Sequence, residues 1–204
     1  MPRKQAPSFL SPPPADAQQL KSFPVFVLRR DSEVHRIHLA TLDPWYFNAQ
    51  DTWRFSPCAV AGLGACYLAQ RPVAGLLETF KGVTVVDERD VLQRAHFTAK
   101  LGHAVRLADC CAARARAFGV DGEIHTTTDY ALTQAWAGAL AGAGFAGLRY
   151  LCRSDPGLSL FGYALFDAAG QAPPGRWPRG RDSPIAEQIL REAEEFGLRV
   201  RPTP

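Results

Sequence analysis

Residues 65–82 read ACYLAQRPVAGLLETFKG, and this stretch decides the fold class. Ala65 to Ala69 is a short run without a charge, the length of a buried strand rather than of a helix. From Arg71 to Lys81 the period changes: Val73, Leu76, Leu77 and Phe80 fall at helical spacing and make one apolar stripe. Pro72 suits the first turn, where its missing N–H leaves no partner unsatisfied. Gly82 stops the helix, because glycine takes the left-handed conformation at no steric cost.

Upstream of this stretch, residues 1–22 carry Pro12-Pro13-Pro14 and little apolar periodicity, so they read as a flexible arm. Residues 24–30 (PVFVLRR) read as a first strand, and His35 to Leu39 alternates polar and apolar like a half-buried strand. Residues 40–56 are irregular and rich in aromatics. Downstream, strands are expected at 83–86, 104–108, 147–151 and 159–166. Helices are expected over 88–100, 110–118 and 130–143, the last opened by the capping cluster Thr126 to Asp129 and closed by Gly144. Residues 168–183 form a Pro/Gly/Arg loop, and Ser183-Pro184 opens a final amphipathic helix over 184–196. There is no internal repeat. The elements lack a regular strand–helix–strand beat, which points to an α+β fold. No GxGxxG follows a strand and no GxxxxGK[ST] is present, so neither a Rossmann site nor a P-loop is expected.

At 204 residues the chain fits one domain of ordinary size. A net charge of +3 is too weak and dispersed to argue for nucleic acid, though it suits a pocket for an anionic small molecule. The five cysteines are odd in number and include no CxxC pair, which reads as buried free thiols in a reducing cytosol. No apolar run is long enough for a bilayer and no signal-peptide core is present, so a cytoplasmic location with no membrane partner is expected. The histidines have no zinc-like spacing, and no metal is expected.

Four side chains stand where chemistry could be done. Arg36 lies within the 35–39 strand, and Arg54 sits between Trp53 and Phe55; two such arginines could fork onto a pyrophosphate. Tyr67 lies mid-strand and could stack on a flat heterocycle. Glu78 on the 71–81 helix could face a ribose and stabilise the positive charge that grows when an N-glycosidic bond breaks. Read residue by residue, the alternatives stay open: structural ion pairs for the arginines, core packing for Tyr67, and a solvated helix face for Glu78.

The ordered set resolves this differently. His35-Arg36-Ile37-His38, Trp53-Arg54-Phe55-Ser56-Pro57, Cys66-Tyr67-Leu68-Ala69 and Leu76-Leu77-Glu78 resemble the front half of a RES domain. Thr128 to Gln134, Gly144 to Tyr150, Asp155-Pro156 and Ala164-Leu165-Phe166 resemble the back half, so the likeness covers about residues 34–167. The resemblance implies a domain over 23–167 with an ADP-ribosyltransferase-like split, bent sheet and short flanking helices, followed by a loop and helix over 168–204. It implies NAD as substrate, cleaved at the nicotinamide–ribose bond by phosphorolysis or hydrolysis in a toxin whose cognate antitoxin occludes the cleft. Macromolecular ADP-ribosylation and NAD binding without turnover are the alternatives, and homo-oligomerisation is left open. Carried over by position, Arg36 and Arg54 bind phosphate and ribose, Tyr67 lines the site, and Glu78 is the key carboxylate. The family's Ser-Arg-x-Asp-Pro reads Cys152-Arg153-Ser154-Asp155-Pro156 here, which puts Cys152 at the family serine and Ser154 two residues on. Cys152 is therefore expected among the catalytic residues and Ser154 among the binding ones.

Overall fold

Alternating burial along the chain builds the sheet, as in Arg94 to Lys100, where Ala95, Phe97 and Ala99 point inward and their neighbours outward. The structure is a computed structural model that describes residues 9–203. Its strands are β1 (Val25–Leu28), β2 (Glu33–Leu39), β3 (Tyr46–Phe47), β4 (Leu63–Ala69), β5 (Val85–Asp87), β6 (Arg94–Lys100), β7 (Val105–Asp109), β8 (Gly147–Leu151), β9 (Phe161–Ala168), β10 (Gly170–Gln171), β11 (Arg181–Pro184) and β12 (Arg199–Arg201). The helices are α1 (Pro72–Thr79), α2 (Glu88–Leu92), α3 (Glu123–Thr126), α4 (Tyr130–Gly142) and α5 (Glu187–Glu195). This is the mixed α+β class expected, with one large sheet in the order β1-β7-β8-β9-β4-β2-β6-β11.

Two ladders carry that sheet. β4 pairs with β9 along its whole length, Leu63 opposite Ala168 and Ala69 opposite Gly162, and β2 pairs with β6 from Glu33–Lys100 to Leu39–Arg94. Between them β2 and β4 meet at one pair, His35 opposite Ala69, and then diverge. The sheet is thus split at a seam between two half-sheets, and the cleft described below opens there. α1 lies across the seam: the Gly75 Cα sits where a Cβ would be 3.4 Å from the Ile37 side chain of β2, and Thr79 Oγ1 donates to the Ile37 carbonyl at 3.3 Å.

Apolar side chains pack in three groups. One joins Leu10, Leu20, Phe23, Ile124, Trp136, Leu140 and Tyr150; a second lies around Trp45, Phe97, Tyr163 and Trp177; the third holds α1 against α5 through Leu76, Leu77, Ile189 and Leu198. Tyr150 lies so close over β9 that a Cβ at Gly162 would fall 2.3 Å from its ring, which is why this strand position lacks a side chain.

Several expectations are corrected. Residues 1–8 of the expected flexible arm lie outside the described residues, but 9–22 are packed: Leu10 and Leu20 are buried, and Trp136 Nε1 donates to the Ser11 carbonyl at 2.8 Å. The span 88–100 is not one helix but α2 followed by β6. Residues 181–184 are not a helix start: they form β11, which pairs with β6, and Ser183 Oγ donates to the His96 carbonyl rather than capping a helix. The segment 168–204 is therefore part of the sheet and not only a loop and helix. No described helix is long and apolar enough to cross a membrane.

Candidate functional site

The cleft forms where the diverging strands leave a gap that α1 roofs. Its walls include Arg36, His38 and Leu39 of β2, Tyr67 of β4, Gly75 and Glu78 of α1, and Trp53, Lys81, Arg94 and Tyr150. Four sequence-predicted residues, Arg36, Arg54, Tyr67 and Glu78, meet here although 42 positions separate the first from the last.

Glu78 sits at the centre. Its Oε2 accepts from Arg54 Nη2 at 3.0 Å and its Oε1 from the Arg153 N–H at 3.2 Å. With 17% of the side chain exposed, the carboxylate still reaches the cleft. Arg54 is only 3% exposed. It also donates to the His125 carbonyl and lies between the Phe55 and Tyr150 rings, 4.8 Å from each centroid. One donor on each Arg54 Nη is thus committed to the protein, one of them to Glu78. Arg36 donates to the carbonyls of Pro44 and Tyr46 and lies 2.6 Å from Cys66 Sγ, which orients it along the cleft wall.

Tyr67 is fixed by the Phe55 N–H, which donates to its hydroxyl at 2.8 Å. Burial pushes its phenol well above the usual range, so it stays protonated. Trp53 covers Tyr67 at 5.9 Å between centroids, and the Lys81 ammonium lies 4.7 Å from the Trp53 ring and 5.4 Å from Tyr130. This cation bridges two aromatic faces at the cleft mouth.

Cys152 is 1% exposed and lies close enough to Glu78 to feel its charge. Burial first, then the nearby Glu78 charge, pushes its thiol up to about 12. A thiol kept protonated in this way is not activated as a nucleophile. Ser154 is elsewhere: it lines a separate hollow with Leu77, Phe80, Phe196 and Leu198 on the far side of α1. The expectation that it shares the cleft fails because β8 ends at Leu151 and the chain turns. Asp155 stabilises that turn by accepting from Gly157 N, Ser159 N, Ser159 Oγ and Leu160 N at 2.6–2.9 Å. Among the described residues no group of three His, Cys, Asp or Glu could hold a metal.

Lys81, Arg94, Tyr150 and His125 are additions that sequence reasoning did not single out. His125 accepts the Leu151 N–H on Nδ1 at 3.3 Å, and its carbonyl holds Arg54. Burial first, then the Arg54 charge, lowers its pKa to about 4, so it is folded neutral. His35 and His96, in contact at 3.2 Å, are lowered for the same first reason. A folded pKa below the unfolded 6.5 means that stability is full above pH 6.5 and falls as the unfolded chain takes up protons. We expect a loss of about 3 kcal/mol from His125 alone between pH 6.5 and about 4. Urea midpoints measured at pH 7.5, 6 and 4.5 check this; midpoints independent of pH would contradict it.

The comparisons agree with this geometry. A family model described as the RES domain matches residues 33–183, from β2 through β11 and so beyond the limit of 167 expected from the sequence. A chain of the crystal structure of the M. tuberculosis MbcT–MbcA toxin–antitoxin complex superposes with a TM-score of 0.59 at 16% identity, over 83% of this chain and 92% of that one. No curated protein matches the sequence. With the family model spanning most of the chain, this chain belongs to the RES domain family.

Proposed function

We propose that this chain is the toxin of a toxin–antitoxin pair and that it cleaves the nicotinamide–ribose bond of NAD. The observation that carries the reading is Glu78, a carboxylate held by Arg54 and the Arg153 N–H at the base of a cleft walled by Arg36, Tyr67, Trp53 and Tyr150. The family membership and the toxin–antitoxin neighbour support it.

In this reading the nicotinamide ring stacks by Tyr67 and Trp53, and Glu78 faces the ribose. As the bond between the nicotinamide nitrogen and C1′ breaks, its electron pair leaves with nicotinamide, which departs neutral. Positive charge grows on the ribose C1′ and ring oxygen. The Glu78 carboxylate is already oriented, so it stabilises that charge without reorganisation. An oxygen of phosphate or water then bonds to C1′ and releases any surplus proton to solvent. Arg36 supplies positive charge for the pyrophosphate, and Arg54 holds the Glu78 carboxylate in place. An antitoxin segment seated in the same cleft would block entry, as the neighbour's complex suggests for a partner.

Incubating the protein with NAD, with and without phosphate, and separating the products by chromatography tests the reading. Loss of NAD with release of nicotinamide is expected, and phosphate dependence separates phosphorolysis from hydrolysis. NAD that binds by calorimetry yet stays intact would favour a binding module or a transferase lacking its macromolecular acceptor. Cys152→Ser keeps or raises the rate, because it restores the hydroxyl of the family position beside Glu78, and a hydroxyl is a stronger donor than a thiol. Initial rates of nicotinamide release measure this, and complete loss would instead assign the thiol a role of its own.

A further inference from the structure

Among the described residues the Arg94 side chain makes no hydrogen bond or ion pair, and its Nε, like those of Arg149 and Arg153, is buried without a partner. Its guanidinium rests on the Phe80 ring at 4.9 Å and lines the cleft. Asp90 is a nearby carboxylate, but no ion pair joins the two. An arginine packed on an aromatic ring with donors unmet is preorganised for an anion that the protein itself does not supply.

The position decides which anion. Arg94 opens β6 directly opposite Leu39 at the end of β2, whereas Glu78 is held from the other half-sheet side by Arg54 and Arg153. Beside Leu39, the exposed Leu42 and Tyr46 offer an apolar shelf of the kind a purine covers. Arg36, Glu78 and Arg94 line one cleft, so with the reacting ribose at Glu78 and the pyrophosphate near Arg36 the adenosine ribose would reach toward Arg94. We propose that Arg94 forms a subsite for a phosphate on that distal ribose, so that the chain prefers a nicotinamide dinucleotide phosphorylated at the adenosine 2′ position. This rests on the NAD-cleaving reading and adds the substrate class to it.

The test compares kcat/KM for NAD and NADP in the wild-type protein, R94Q and R94K, together with calorimetric binding of adenosine 2′,5′-bisphosphate and of AMP. Wild type is expected to favour the phosphorylated member of each pair by about tenfold or more, since a charge-assisted hydrogen bond is worth that much in affinity. R94Q brings both ratios close to one, and R94K, which keeps the charge but not the fork, falls between. NAD cleaved by wild type with no preference for the phosphorylated ligands overturns the subsite and leaves the NAD reading standing. If R94Q raises only the inorganic phosphate concentration needed for half-maximal turnover, with the dinucleotide ratio as in wild type, Arg94 serves free phosphate and the proposal fails. Neither dinucleotide bound or cleaved overturns the underlying reading and the subsite with it.

Discussion

Glu78→Gln is expected to reduce nicotinamide release by about 10³-fold while the protein remains folded. The exchange keeps the shape and removes the charge that would stabilise the developing oxocarbenium. The amide cannot satisfy its surroundings either. Both Glu78 oxygens accept hydrogen bonds, from Arg54 Nη2 and from the Arg153 N–H. A glutamine turned either way sets its NH₂ against one of those donors. A drop in melting temperature of a few degrees is therefore expected as well, roughly 2–4 °C for each kcal/mol in a chain of this length. Circular dichroism and calorimetric NAD binding confirm that fold and cleft survive. Wild-type rates in this variant would end the assignment of Glu78.

Arg54→Met carries the largest expected effect on stability. It removes the guanidinium between Phe55 and Tyr150, leaves the His125 carbonyl without its donor, and leaves Glu78 largely buried without a countercharge. Breaking a buried ion pair from one side costs about 3–5 kcal/mol. The melting temperature should fall by roughly 6–20 °C. The double variant Arg54→Met/Glu78→Leu tests the cause: with no uncompensated charge left, it should recover part of the loss. If the double variant melts no higher than Arg54→Met, the cost lies in packing and not in the charge.

The strand–helix unit around α1 was legible because Pro72, the Val73–Phe80 stripe and Gly82 each act locally. The 130–143 helix was legible for a similar reason, and Asp129 does cap it by accepting the Ala131 N–H at 3.2 Å. β6 was harder: two of its three inward residues are Ala95 and Ala99, too small to make alternation stand out, and the acidic start at Glu88 reads as a helix. β11 was hidden because its register comes from pairing with β6, which only the fold supplies. In the site, the ordered motifs brought Arg36, Arg54, Tyr67 and Glu78 to notice. They could not show that Arg54 spends its donors on Glu78 and His125. Ser154, two residues after Cys152, would share its side only if β8 continued past Leu151, and the Asp155-stabilised turn ends it. His125, Lys81 and Arg94 carry no local signal, since each gains its meaning from residues distant in sequence.

The single pair at the seam has an evolutionary consequence. Because His35 opposite Ala69 is the single backbone pair between the half-sheets among the described residues, the aperture between them is set by side-chain packing, including α1 against β2, and not by a backbone ladder. Position 75 packs closely on β2, where one added methyl would already touch Ile37. Substitution there can widen or narrow the opening while both long ladders keep every backbone bond. Such a scaffold can be retuned to differently sized ligands by changing one small residue, without being refolded around the new occupant.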